Sequence, residues 1–521
     1  MDNNFRYTYT AFISFLFSIV ATVFLFPVLY RFSPAGISIP IVVGAFYAAL
    51  LTSMRGRYSL KRGGSWQLFI PIGLCSLQFV FFNNGLLSFL NLIAIALMLS
   101  IQISLMTGMR KTLFGNGIFS MEIHMIFVRP FHKIGALFAN AFAYKNKQTK
   151  KAIGGILAGF AVTLPILAIM LLLLTSADIV FAEFITNIFS WKSMWRVIYF
   201  IVLVGIGFTT TGSFIVSLKE KAHTRIPRVR KHITFNFAAV YILASTLSIL
   251  MIFFSAFQLI YLTGLSELPY NFDYSTYARQ GFFQMLAAAA LVFFVITICY
   301  RHTREAEGLD RLILNILYTV LSVTVMVLLV SSFSRMVLYE QVYRFTRLRL
   351  YTQAFTILLG VFCIFTIIKI WRPKFRITKF IFYASAFALI LLTYFNVDGF
   401  IAKDAAKHAE KTGEKPDIAY LSTLSEDALP YYCEYIDPAI FELSDPDDYI
   451  YNTEEHTDYE TDEYYAAAYL AHYIDDTMST IEKEDFRTYN TTRHKLYREF
   501  PEDVLQSARN MILREHDNHD F

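Results

Sequence analysis

The sequence predicts an all-α integral membrane protein with about eleven transmembrane helices and a small helical C-terminal extracytoplasmic domain. Three observations support this class. The chain is 55% hydrophobic and only 17% charged, with a mean hydropathy of +0.45, whereas soluble domains carry about 25% charged residues. Long apolar segments recur along the chain, and the acidic residues gather towards its C-terminal end.

Eleven apolar segments qualify as membrane spans, because a hydrocarbon core about 30 Å thick needs roughly 20 apolar residues per helix. The third and fourth segments are joined by the polar turn FNNG, which predicts a helical hairpin. The seventh is long and is expected to tilt or to extend beyond the bilayer. The predicted spans are 9–29, 37–54, 66–82, 85–106, 152–174, 195–217, 233–262, 280–300, 311–332, 350–371 and 378–395.

The charges divide the chain into two parts. Residues 396–521 hold 30 of the 41 acidic residues but only 11 of the 46 basic ones. We therefore predict a polytopic transmembrane domain at 1–395 and an acidic, mostly helical extracytoplasmic tail domain at 396–521. A turn-rich stretch near 437–463 is predicted to be a solvated linker, since it lacks the glycine that the sharp turn of a calcium-binding loop requires.

The loops that follow the even-numbered spans are basic, and this pattern orients the chain. Arg55 and Arg57 follow the second span, Arg110 and Lys111 follow the fourth, and Lys374 follows the tenth. Since positively charged loops remain in the cytoplasm, we predict a cytoplasmic N-terminus and an extracytoplasmic C-terminus. The predicted location is a cell (plasma) membrane, in which the protein is multi-pass.

One outer loop departs from this rule. The stretch FSRMVLYEQVYRFTRLRLYTQAF, residues 333–355, joins the ninth and tenth spans and is rich in arginine. One interpretation is that these arginines extend to the membrane surface or pair locally, as Glu340 and Arg344 would at helical spacing. The other is an anion site, because guanidinium groups bind phosphate or carboxylate bidentately. The candidate ligand-binding residues are Arg279, Arg335, Tyr339, Tyr343, Arg344, Arg347 and Arg349.

Several acidic residues are possible charge partners for these arginines. An amphipathic segment between the fifth and sixth spans contributes two of them, and the outer loop before Arg279 contributes two more. Another lies in the arginine stretch itself and one lies just after the last span. The six residues are Asp178, Glu183, Glu267, Asp273, Glu340 and Asp398.

No motif in the sequence identifies an enzyme. The chain has no GxxxxGK[ST] phosphate loop and no HExxH, GxSxG or SxxK signature. It also has no CxxC and no ligand spacing typical of a metal site, so we predict neither a cofactor nor a metal. Of the four cysteines, only Cys433 lies outside the apolar segments. We leave enzymatic activity open and favour a non-catalytic role.

Five phrases occur in order along the second half of the chain: YARQGFF, SRMVLYEQVYRFTRLRLYTQAF, NVDGFIAKDAAKH, YLSTLSEDALP and FRTYNTTRHKLY. As a set they resemble the bacterial polytopic membrane family catalogued as domain of unknown function 4173, or its sister family 4153. The resemblance covers most of the chain. It implies a bacterial cell-membrane protein, brings no catalytic residues with it, and implies that the phrases at the outer face form one feature.

The leading hypothesis is a module that binds or conducts an anionic ligand, such as a lipid or an envelope-polymer precursor, at the outer face. One alternative is a sensor or scaffold that passes the state of the tail to a cytoplasmic signalling partner. Another is an envelope enzyme acting on a lipid-linked substrate, with Asp178, Asp273 or Asp398 as the acid or base. The expected partners are membrane lipids, an anionic lipid or envelope polymer, and a signalling protein. No nucleic acid is expected.

Overall fold

A computed structural model of the protein describes most of the chain. The described residues are 3–31, 34–55, 58–108 except 61, 126, 129–132, 134–135, 137, 192–219, 237–262, 274–303, 306–413, 416–442 except 437, 458–482 and 486–519.

The described residues form α-helices, short 3-10 helices and connecting turns. The helices of the apolar part are α1 (Asn3–Arg31), α2 (Ser38–Ser53), α3 (Phe69–Phe81), α4 (Gly85–Met106), α5 (Arg129–His132), α6 (Lys192–Lys219), α7 (Phe237–Leu262), α8 (Tyr274–His302), α9 (Gly308–Tyr343), α10 (Arg347–Trp371) and α11 (Ile377–Tyr394). Those that follow are α12 (Val397–Thr412), α13 (Ile418–Ser422), α14 (Asp458–Glu482), α15 (Thr491–Glu499) and α16 (Glu502–His519).

Within the described residues, nine helical segments are long and apolar enough to cross a membrane. They correspond to nine of the eleven predicted spans and confirm the all-α membrane class. The predicted span 37–54 forms α2, a shorter apolar helix of 16 residues. The predicted span 152–174 lies outside the described residues.

Internal contacts divide the chain into two compact units. The first consists of Met1–Phe81, Asn91–Ile226 and Glu484–Asn490. In this unit α1 packs along α2 and α6. Gly207 of α6 allows a close approach, because a Cβ at this position would lie 2.8 Å from Ser18 Oγ. Glycine and serine at a helix crossing let spanning helices pack backbone to backbone.

A short tail segment also belongs to the first unit. Arg487 donates a hydrogen bond from Nη1 to the carbonyl oxygen of Val23 at 2.8 Å. The amide of Ile37 donates to the carbonyl of Tyr489 at 3.1 Å. Gly36, with φ of 44°, lies against the backbone of Thr488. These contacts attach residues 486–489 to α1 and to the turn before α2.

The second unit consists of Phe82–Leu90, Pro227–Lys483 and Thr491–Phe521. Its spanning part is centred on α9, which packs against α7, α8 and α10. The predicted span 311–332 is the N-terminal part of this helix, which has 36 residues. The arginine-rich stretch continues this helix to Tyr343, turns, and enters α10 at Arg347.

The tail residues of the second unit have an apolar core of their own. Leu429, Tyr432, Phe441 and Ile474 are fully buried in it. Cys433 belongs to the same core and is only 5% exposed. Part of the predicted linker 437–463 is helical, since α14 begins at Asp458, and 443–457 lie outside the described residues.

Candidate functional site

The phrase NVDGF places a carboxylate at the start of a helix. Asn396 adopts the left-handed conformation with φ of 50° and caps α12, accepting a hydrogen bond from the Gly399 amide at 3.0 Å. Asp398 then lies in the first turn of α12 and is 1% exposed. The helix dipole stabilises a negative charge at this position.

Asp398 accepts hydrogen bonds from three side chains. Arg347 donates from Nε to Oδ1 and from Nη2 to Oδ2, both at 2.8 Å. Asn84 donates from Nδ2 at 2.7 Å, and Ser425 donates from Oγ at 2.5 Å. A bidentate arginine–carboxylate pair is stronger than a neutral hydrogen bond and fixes the orientation of both groups. This carboxylate is therefore fully occupied by the protein's own residues.

Arg347 is also held through its other polar groups. Its backbone amide donates to the Tyr420 hydroxyl at 2.8 Å, and its Nη1 donates to the carbonyl of Thr423 at 3.4 Å. Burial raises the pKa of the Tyr420 phenol, which remains neutral and able to accept this bond. The first residue of α10 is thus tied to the tail loop as well as to α12.

A second ion pair lies beside the first. Arg493 of α15 donates from Nε and Nη2 to the two carboxylate oxygens of Glu426, each at 2.5 Å. Glu426 also accepts from Asn83 Nδ2 at 3.0 Å. The Arg493 side chain is 4% exposed. Truncating either member would leave a charge that burial makes costly.

Asp427 is a third carboxyl group in the same place. Its Oδ2 accepts from the Asn83 amide at 2.8 Å. Its Oδ1 is buried and has no hydrogen-bond partner among the described residues. Burial raises the pKa of the Asp427 carboxyl to about 7, and the charges of Asp398 and Glu426 act in the same direction. The hydrogen bonds from Asn83 and Thr492 act against this shift.

These groups form one feature, called here the junction network. It joins the turn before α4, the start of α10, the start of α12, the loop after α13 and the start of α15. Its members are Asn83, Asn84, Arg347, Asp398, Ser425, Glu426, Asp427 and Arg493.

Between α9 and α10 lies a second feature, the arginine turn, which comprises residues 343–349. Arg349 donates from Nη1 to the carbonyl oxygens of Tyr343, at 2.9 Å, and of Arg344. Its guanidinium carbon lies 4.4 Å from the centre of the Tyr339 ring. The rings of Tyr339 and Tyr343 are 4.7 Å apart. A cation over an aromatic face is stabilised without losing its charge.

The other candidates near this turn have separate partners. Arg344 has a φ of 63°, and its Nη1 lies 3.9 Å from an Asp404 oxygen. Arg335 donates to Gln258 Oε1 at 3.0 Å. Glu340 is buried and accepts from Gln353 at 2.6 Å. The helical-spacing ion pair between Glu340 and Arg344 is therefore not formed.

Five further predicted residues cannot be located at the site. Asp178, Glu183, Glu267 and Asp273 lie outside the described residues. Arg279 lies in α8, but its side chain is outside the described part of the structure. Of the predicted charge partners, Asp398 contacts one of the candidate arginines directly, and that arginine is Arg347.

Sequence reasoning missed most of the junction network. Four of its residues stand in the phrases YLSTLSEDALP and FRTYNTTRHKLY, which carried the family resemblance without indicating any contact. The phrase FNNG predicts a hairpin turn but indicates no partner for Asn83 or Asn84. The missed members are Asn83, Asn84, Ser425, Glu426, Asp427 and Arg493.

The arrangement limits the chemistry of this site. Within the described residues, no three His, Cys, Asp or Glu side chains are grouped so that they could hold a metal ion. Asp398 is occupied by Arg347, Asn84 and Ser425, so its geometry does not favour a role as a general base. The junction network contains buried ion pairs, whereas the arginine turn presents partly exposed guanidinium groups.

The fold and composition define an all-α integral membrane protein. The family model described as Domain of unknown function (DUF4153) matches residues 69–435, which is well over half of the chain. The chain belongs to this family. The match is to the family named as the sister in the resemblance, and membership of domain of unknown function 4173 is not shown. No curated protein and no solved structure matches the chain.

Proposed function

We propose that this membrane protein binds an anionic ligand at the extracytoplasmic face of a bacterial cell membrane, with the arginine turn as the binding element. The orientation follows from the basic loops, which place the N-terminus in the cytoplasm and the tail outside. The ligand class is a phosphate- or carboxylate-bearing lipid or envelope precursor, because guanidinium forks match these groups.

The observation that carries the proposal is the set of contacts made by Arg349. Its guanidinium group contacts two carbonyl oxygens and an aromatic ring, which are neutral. The Glu340 carboxyl also acts on Arg349 electrostatically, and its hydrogen bond is from Gln353. Arg349 Nη1 donates to the backbone carbonyl of Arg344. The arginine turn therefore brings two arginines together. The Arg344 side chain is 41% exposed. Arg349 is half-buried, so both residues present positive charge that an anion can reach.

The arginines of the stretch have different roles in this proposal. Arg347 holds Asp398 and belongs to the junction network, so we remove it from the ligand-binding set. Arg344 and Arg349 bind the anion, and Tyr339 and Tyr343 flank it. Arg335 supplies further positive charge on α9, and Arg279 stays a candidate by sequence.

Retention of an anionic lipid by the purified full-length protein tests this role. The probe is phosphatidylglycerol, offered in mixed micelles against phosphatidylcholine, and retained lipid is quantified by mass spectrometry. We expect R344Q/R349Q to reduce retention of phosphatidylglycerol by about tenfold or more, since a hydrogen bond to a charged group contributes roughly 1.5–3 kcal/mol.

The matched control is R372Q/R376Q, which removes two exposed arginines from the turn between α10 and α11. Retention should remain near the wild-type level in this control. Arg344→Gln alone should reduce retention without affecting folding, because the Arg344 side chain is 41% exposed and its ion pair with Asp404 is long, at 3.9 Å. Unchanged retention in R344Q/R349Q, or an equal loss in the control, would contradict the proposal.

The junction network favours a second candidate function, a membrane sensor or scaffold. Arg347 and Asp398 connect the tail loop to the first turn of a spanning helix, so a change in the tail could reach that helix. In this case, deletion of the tail would abolish the response of a cytoplasmic partner, whereas R344Q/R349Q would leave the response intact.

A further inference from the structure

Asp427 is an unusual member of the junction network. It is 1% exposed, and its Oδ1 has no hydrogen-bond partner among the described residues. Its Oδ2 accepts from the Asn83 amide at 2.8 Å and lies 3.4 Å from the Ser425 hydroxyl. A buried carboxylate oxygen without a donor is costly, and binding a proton removes its charge.

Among the residues that the structure describes, the charged and titratable groups around Asp427 leave it without a counter-ion of its own. Arg493 is paired with Glu426, and Arg347 is paired with Asp398. Three carboxyl groups therefore share two guanidinium groups, and one negative charge is left over. The titratable groups that interact with Asp427 electrostatically are Asp398 of α12, Glu426 of the same loop, Tyr351 of α10 and Tyr473 of α14. The two arginines of the network are Arg493 of α15 and Arg347 of α10.

We propose that Asp427 is a proton-binding site, and that its protonation state sets how firmly the tail loop holds the Asn83–Asn84 turn. With Asp427 protonated, the two ion pairs account for all charges of the network. With Asp427 ionised, the loop carries one uncompensated buried charge next to the turn. This inference goes beyond the anion-binding role, because it needs no ligand at the arginine turn.

The sign of the effect follows from the raised pKa. The Asp427 carboxyl has a pKa of about 7 in the closed structure and an ordinary value of 3.8 in water. Its contribution to the closed state is fully present below pH 3.8 and is lost as the pH rises through 7. The opening equilibrium of the turn therefore rises by up to about tenfold per pH unit in this window and is constant above it.

Hydrogen exchange at the Asn83 amide measures this opening directly, because that amide donates to Asp427. The experiment uses the full-length protein in micelles between pH 4 and pH 9, and compares wild type with Asp427→Asn at each pH. The ratio of the two exchange rates cancels the intrinsic pH dependence of exchange. We expect the exchange rate of wild type, divided by that of Asp427→Asn, to rise between about pH 4 and 7 and then to level off.

Asp404→Asn is the matched control, since it removes a partly exposed carboxyl outside the network. Its ratio to wild type should be the same at every pH. A pH-independent ratio for Asp427→Asn as well would overturn the proposal. Infrared titration of wild type is the second measurement. Carboxylic-acid carbonyl absorbance above pH 6 that is present in wild type and missing from Asp427→Asn supports the proton site, and identical absorbance in the two proteins overturns it.

Discussion

At the scale of single residues, Asp398 holds the start of α10 and the tail loop together through its hydrogen bonds with Arg347 and Ser425. The Asn396 cap and the adjacent Gly399 place this carboxylate where Arg347, Asn84 and Ser425 can all reach it. Gly399 is required because a Cβ there would lie 2.6 Å from Asn396 Nδ2. One short phrase thus creates both the helix start and the ion pair.

Asp398→Asn should loosen the tail. The change would leave Arg347 without its counter-ion, and breaking a buried pair costs roughly 3 kcal/mol, with some reduction here because Arg347 is 33% exposed. Hydrogen exchange of the 420–430 loop measures the effect. Asp404→Asn breaks a longer and more exposed pair and should cost about 0–1 kcal/mol. Equal exchange in the two variants would show that the buried pair does not fasten the tail.

At the scale of elements, the tail segment 486–489 attaches to α1 and to the turn before α2. Gly36 allows this contact, because it has a positive φ and because a Cβ on it would lie 2.3 Å from the Thr488 carbonyl. The ring of Phe486 adds an edge contact with Phe24, with centroids 6.3 Å apart.

Gly36→Ala should detach this segment from its helix turn. The left-handed backbone alone costs about 1–2 kcal/mol for alanine, and the contact with Thr488 has no room for a methyl group. Limited proteolysis should show faster cleavage near 484–490. In Gly44→Ala the new Cβ has nothing within 4 Å, so cleavage should match wild type. Protection of the segment in Gly36→Ala would rule out this attachment.

The elements differ in how far the sequence predicts them. The sequence predicts spans such as 85–106 and 350–371 to within a few residues of the helices Gly85–Met106 and Arg347–Trp371, because apolar length is a local property. The junction network could not be predicted, since Asn83 and Asp427 are 344 residues apart in the chain and such a contact leaves no local pattern. The positive charge of the arginines is visible in the sequence, but their partners depend on tertiary packing.

At the scale of the whole molecule, we expect the arginine turn and the tail to lie on the extracytoplasmic side of the membrane. Helix α11 separates the turn after α10 from α12, so it should be the last crossing. Lys374 and Lys411 are exposed lysines on either side of it. Cys433 is buried, and a thiol reagent would reach it poorly, so introduced cysteines are the better probes.

The most direct test is labelling of Lys374→Cys and Lys411→Cys by a membrane-impermeant maleimide, in a background without the four native cysteines. In intact cells, Lys411→Cys should be labelled, whereas Lys374→Cys should be labelled only after permeabilisation. This result would place the tail outside and the basic loop inside. If only Lys374→Cys were labelled in intact cells, the orientation would be the opposite of the one predicted. Equal labelling of both variants would mean that α11 does not cross the membrane.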